Sequence, residues 1–149
     1  MSGDNINGML PIDFKEIGPG IHLYSNILKK DLNISERIEN VISSNNKFSW
    51  TEALVGYRQR VPGYRDCFDF KFKKSSIPGN DEYSLEIKNV WQDCFDAMKP
   101  AVDNYCKYYN VDNLDYWEAI NLVKYLPGNQ LSCEPYDWFF VSGILIHNK

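Results

Sequence analysis

Apolar residues recur along this chain in two rhythms, and each rhythm predicts a kind of element. Leu32, Ile34, Ile38, Val41 and Ile42 fall at steps that bring them to one side of a helix. Asp31 or Asn33 is suited to cap its start, and Ser43-Ser44-Asn45-Asn46 to end it. A longer run of the same kind covers residues 84 to about 109, with Leu85, Ile87, Val90, Trp91, Cys94, Phe95, Met98, Val102, Tyr105, Cys106 and Tyr109 at three- and four-residue steps. Pro100 lies inside it and predicts a kink or a split, because proline removes an amide donor and crowds the preceding turn. The aromatic stripe of this helix reads as core packing, and the helix as a buttress.

The second rhythm is alternation. Residues 67–73 alternate one by one, which predicts a half-buried strand with Phe68, Phe70 and Phe72 on one face. Shorter β-type segments are expected at 21–24 and 48–55. Gly56, Pro62 and Gly63 mark a surface loop over 56–65, and 75–81 is a polar loop. From 117 onward the pattern predicts strands alone: 117–125, a Pro127-Gly128-Asn129 turn, a short run through Leu131 and Cys133, a bend at Pro135-Tyr136-Asp137, and a strand over 139–146. Residues 1–19, rich in Gly, Asn and Pro, read as an N-terminal arm, leaving 20–149 as a single domain.

Composition narrows the class without naming an activity. At 149 residues, 44% hydrophobic, 15% aromatic and 24% charged, the chain belongs with ordinary folded domains. A single domain of this size buries roughly 70% of its unfolded surface. Charged or amide residues interrupt every apolar run before a membrane span is reached, and no basic segment precedes an apolar one at the N-terminus. A cytoplasmic setting follows as the expectation, host cytoplasm or virion if the chain is viral. The net charge of -4 works against nucleic acid as a partner. The local exception is the basic, aromatic stretch Tyr57-Arg58-Gln59-Arg60, Tyr64-Arg65 and Lys71-Phe72-Lys73-Lys74, which reads first as a solvated loop and edge strand.

Cys67, Cys94, Cys106 and Cys133 include no C-x-x-C pair. Cys94 and Cys106 share the long helix, roughly 18 Å apart at 1.5 Å per residue, far beyond disulfide reach. Buried thiols in a reducing compartment are expected. Two histidines, His22 and His147, leave little for a His-rich metal site.

The order strand, helix, strands, long helix, strands resembles the N-terminal portion of the prolyl-4-hydroxylase-like 2-oxoglutarate and Fe(II)-dependent oxygenases, including phage versions. The residues that carry the resemblance are Asn121-Leu122-Val123-Lys124-Tyr125-Leu126-Pro127-Gly128-Asn129-Gln130-Leu131 and Val141-Ser142-Gly143-Ile144-Leu145-Ile146-His147-Asn148. The resemblance runs loosely from about residue 20 and is specific over roughly 119–148. It implies an α+β fold, the N-terminal portion of a jelly roll (double-stranded β-helix) with two buttressing helices. Tyr125 matches a position that in relatives can hydrogen-bond the cosubstrate carboxylate, and is the candidate cofactor-binding residue.

The family's His-x-Asp iron ligands fall here on Glu134 and Tyr136, a degenerate pair, because a tyrosine second ligand is not the facial triad. Glu134 with Asp137 would need i and i+3 on one strand face, which takes a bulge. His147 matches a tyrosine-like position of the family's next strand. The distal iron-binding His and the basic residue for 2-oxoglutarate lie on later strands, expected to be missing from a chain of this length.

The reading that follows is a truncated, non-catalytic, oxygenase-derived domain with no catalytic or metal-binding residues. It would act as a structural or interaction component of a larger assembly such as a phage virion, in keeping with a chain rich in Asn, Ile, Lys and Tyr. The alternative is a 2-oxoglutarate/Fe(II)-dependent hydroxylase completed by another chain or segment. An incomplete jelly roll leaves a sheet edge open, so a protein partner or a second copy is expected at an edge near Trp138, Phe139 and Phe140.

Overall fold

The computed structural model describes residues 12–53, 67–125, 137–141 and 144–148, the last two stretches through their backbone. It is an α+β arrangement of two helices and seven strands. Helix α1 spans Ile34–Ser44 and α2 spans Glu82–Tyr108. The strands are β1 (Lys15–Gly18), β2 (Ile21–Ser25), β3 (Thr51–Glu52), β4 (Cys67–Phe72), β5 (Ile120–Tyr125), β6 (Asp137–Val141) and β7 (Ile144–Asn148). They run in the order β1-β2-β7-β6-β5-β4-β3. The antiparallel hairpin β1–β2 meets the antiparallel set β7 to β3 through a short parallel contact, Tyr24 opposite Ile146 and Ser25 opposite His147.

Alternation in β4 holds over its second half, where Phe70 and Phe72 are buried and Lys71 is exposed, while at its start Cys67 on the other face is buried and Phe68 is half-buried. Its full-length pairing with β5 sets Phe70 opposite Leu122 and Phe72 opposite Ile120. These four side chains form one core with Ile34, Ile38 and Val41 of α1 and with Ile87, Val90, Cys94 and Met98 of α2. Both helices therefore cover the same face of the sheet.

Helix α2 begins where Asp81 accepts a hydrogen bond from the Ser84 amide at 3.1 Å, and the same carboxylate accepts from the Ser84 hydroxyl and the Lys47 ammonium. These bonds hold the Asp81 carboxyl well below the usual carboxylate range, with Lys47 the largest cause. The turn before it requires Gly79, whose φ of +82° and whose 3.0 Å clearance to Lys47 Nζ leave no room for a side chain. Arg37 then fastens α1 to α2, donating to Glu86 at 2.5 Å and to Asp93 at 2.6 Å.

Four expectations change. Helix α2 runs through Pro100 as one 27-residue element and is not split, because Met98, Ala101 and Val102 are buried on either side of the proline and hold the turn in place. Asn33 is the N-cap of α1, yet it sits in the left-handed region at φ 48° and its side chain makes no capping bond. Within the expected N-terminal arm, residues 15–18 form β1, since its main chain pairs with β2. The single strand expected over 139–146 is an antiparallel pair, with Val141 opposite Ile144. The intervening Ser142-Gly143 is a dipeptide with turn chemistry. The loop at 56–65 and the segment around Cys133 lie outside the described residues.

Ile87 is fully buried beneath both helices, whereas Leu85 on the same helix is 44% exposed. Ile87→Ala is expected to cost about 3 kcal/mol in urea denaturation, and Leu85→Ala less than about 0.5 kcal/mol. Equal losses would contradict this orientation of α2.

Candidate functional site

Tyr125, the residue singled out from the sequence, ends β5 opposite Cys67 and is 44% exposed. Its neighbour Lys124 is committed to the scaffold. The Lys124 ammonium donates to Glu39 Oε1 at 2.8 Å, while Trp50 Nε1 donates to Glu39 Oε2 at 2.9 Å. The bond from Lys124 is the main reason the Glu39 carboxyl is held below its ordinary range. Glu134 and Tyr136 lie outside the described residues, Asp137 opens β6, and His147 lies in β7 opposite Trp138. Among the described residues no group of three or more His, Cys, Asp or Glu side chains could hold a metal ion.

Trp138, Phe139 and Phe140, where the sequence places an open edge, lie on β6, which stands between β5 and β7. It pairs with β7 along its whole length, Val141 opposite Ile144, and with β5 at one position, Asn121 opposite Phe140. The described edges are β1, four residues with an irregular register between Glu16 and Gly18, and the two-residue β3. Short and irregular edges are poor templates for an added strand.

The densest cluster of functional groups lies instead where β1 and β2 meet the C-terminal end of α2. His22 is 8% exposed and its ring stacks on Phe14, with centroids 4.1 Å apart and planes 11° apart. Tyr105 and Tyr108 present their edges to it at 5.2 and 4.7 Å. Both ring nitrogens are engaged. Tyr24 donates its hydroxyl proton to Asn104 Oδ1 at 2.8 Å, so at 3.3 Å from His22 Nδ1 its oxygen is the acceptor. That makes Nδ1 the donor of this bond, while Nε2 lies 3.1 Å from the Tyr109 hydroxyl oxygen. Tyr109 also reaches Glu16 Oε1 at 3.5 Å, and Tyr105 donates to the Gly20 carbonyl at 2.7 Å.

This chain of hydroxyls, imidazole and amide locks the hairpin onto the helix. Its centre at His22 is shut from solvent, which suits a rigid mount better than a reaction centre. Apolar side chains are exposed on both partners of this contact: Ile17 (54%) and Ile21 (55%) on the hairpin, and Tyr108 (54%) and Val111 (53%) at the helix end. Nothing in the sequence flags His22 beyond its rarity, because its helix partners Tyr105, Tyr108 and Tyr109 lie more than eighty positions away.

Cys67, Cys94 and Cys106 are free and buried, as the cysteine spacing implies, and burial pushes the Cys94 thiol up to about 12. No described helix is long and apolar enough to cross a membrane. Comparison of the chain with models of protein families, with curated proteins and with solved structures finds no match.

Burial, with the added influence of Tyr105, Cys106 and Tyr109, pushes the Tyr24 hydroxyl from its ordinary 10.0 up to about 12. The folded chain thus holds this proton more tightly than the unfolded one. Its contribution to stability is complete below pH 10.0 and is lost as the pH rises toward about 12. Urea midpoints measured across that window should fall in the native chain and fall less steeply in Tyr24→Phe. Identical slopes would remove Tyr24 as the cause.

Proposed function

We propose that this chain is a non-catalytic, oxygenase-derived binding domain that serves as a structural or interaction component of a larger assembly, of the kind that builds a phage particle. The observation that carries the binding role is the apolar rim of the β1–β2 hairpin, exposed at Ile17 and Ile21 on an element that the hydrogen bonds around His22 fasten to α2. Apolar and aromatic side chains held rigidly at a surface make up the core of protein interfaces, because little side-chain entropy remains to be lost on contact. Kinship with the N-terminal portion of a jelly-roll oxygenase is supported by the order of elements and by two helices packed on one face of the sheet. The viral setting is supported by the residue usage and the likeness of the 119–148 stretch to phage relatives.

The occupant this rim fits is a second copy of the chain, since a half-exposed apolar surface of a few side chains is self-complementary when two copies meet about a twofold axis. Light scattering on the eluted full chain should show association that rises with concentration, and Ile17→Asp with Ile21→Asp should abolish it without lowering the melting temperature. A native chain that stays monomeric to about 0.5 mM would refute self-association by this face.

The hydroxylase alternative makes an opposite forecast. Calorimetric titration with Mn(II) in the presence of 2-oxoglutarate is expected to show no binding at micromolar levels; tight binding would overturn the non-catalytic reading.

A further inference from the structure

Between α2, the segment that follows β4 and the segment that leads into β5 lies an open groove of about 420 Å³. Its floor is aromatic. Trp91 and Phe95, one turn apart on the helix, stack with centroids 5.1 Å and planes 13° apart, and Trp117 meets Phe95 edge-on at 4.8 Å. Tyr116 forms the outer wall and is 71% exposed. The rim is cationic: the Lys73 ammonium stands 4.1 Å from the centre of the Tyr116 ring, and Lys74 Nζ donates to Gln92 Oε1 at 2.7 Å. Neither lysine forms an ion pair among the described residues, and one carboxylate, Asp115, lies on the same rim.

These parts are not explained by packing alone. A core aromatic turns its faces inward, whereas Tyr116 leaves most of its surface in water beside the Lys73 ammonium. The Trp91 Nε1–H is shielded from water and has no acceptor, a rare state for a buried donor. An acceptor brought in by a bound molecule, with a small turn of the indole, would satisfy it. The volume falls within the roughly 300–1,000 Å³ of small-molecule sites, which combine apolar walls with a few placed polar groups.

We infer that this groove binds a nucleoside monophosphate, its base lying on the aromatic floor, its phosphate on Lys73 and Lys74, and its sugar hydroxyls toward Asp115. Flat heteroaromatic rings stack on Trp and Tyr whatever their hydrogen-bonding edge, and paired ammonium groups recognise a dianion. The inference stands apart from the apolar rim at the other end of α2.

The test is a titration of the full chain with adenosine monophosphate, followed by tryptophan fluorescence. Saturable quenching is expected, with adenosine and inorganic phosphate each at least about tenfold weaker. Lys73→Gln with Lys74→Gln should weaken the nucleotide about tenfold and leave adenosine unchanged, while Tyr116→Ala should weaken both. All three positions are at the surface, and thermal melts of each variant verify that it folds. Binding no tighter than adenosine or phosphate, no saturation up to about 10 mM, or indifference to the lysine changes would overturn the inference. So would a thymidine dodecamer that binds about a hundredfold more tightly than the mononucleotide, which would assign the groove to a nucleic-acid strand.

Discussion

One face of α2 has to be kept from water, and the positions of the other elements follow from that requirement. Ile87 and Val90 have no exposed surface, and Cys94, Met98, Val102 and Cys106 extend the same stripe for the rest of the helix. A helix of this length cannot bury such a stripe in a small hairpin, so it needs a broad sheet beneath it and a second helix beside it. Phe70, Phe72, Ile120 and Leu122 supply the sheet surface, and α1 closes the flank with Ile34, Ile38 and Val41. Lys47, Asp81 and Ser84 fix where the helix starts, and Arg37 fixes its neighbour against it.

The same helix separates two surfaces of different chemistry. Its C-terminal end, with Tyr105, Tyr108 and Tyr109, receives the β1–β2 hairpin through a relay that includes His22. Its middle, where Trp91 and Phe95 are half-buried, supports the aromatic groove. Because α2 is one element across Pro100, both surfaces are carried on the same helix.

Elements that carry their own period are legible in the residues. The 3.6-residue repeat of α1 and α2 and the alternation from Phe70 to Phe72 in β4 survive in the fold, because local geometry and burial demand the same residues there. Features that depend on distant partners are not. The Asp81 cap escapes the sequence because Lys47 and the buried Ser84 hydroxyl are what make that carboxylate a helix start. The β6–β7 pair looks like one strand because Trp138 to Ile146 is nearly all apolar, with Ser142-Gly143 the sole break in the pattern. The aromatic stripe of α2 has the spacing of a core, and Cys94 and Met98 are core, but Trp91 and Phe95 sit one position further round and half emerge. For the candidate site, Tyr125 can be named from its motif alone. The surroundings of His22 cannot, since no local spacing encodes a contact between residue 22 and residues 105–109.

The parallel contact of Tyr24 with Ile146 gives the molecule a kinetic character as well as a shape. Contacts between residues so far apart in the chain are formed against the entropy of closing a very large loop, and they come late. Helices α1 and α2 can dock on β4 and β5 during synthesis, but the β1–β2 hairpin cannot join the main sheet until β7 has been made. Until that moment one flank of β2 is an unpaired strand, open to any extended segment that reaches it first. The arrival of β7, through the pairs Tyr24 with Ile146 and Ser25 with His147, is thus the step that completes the sheet.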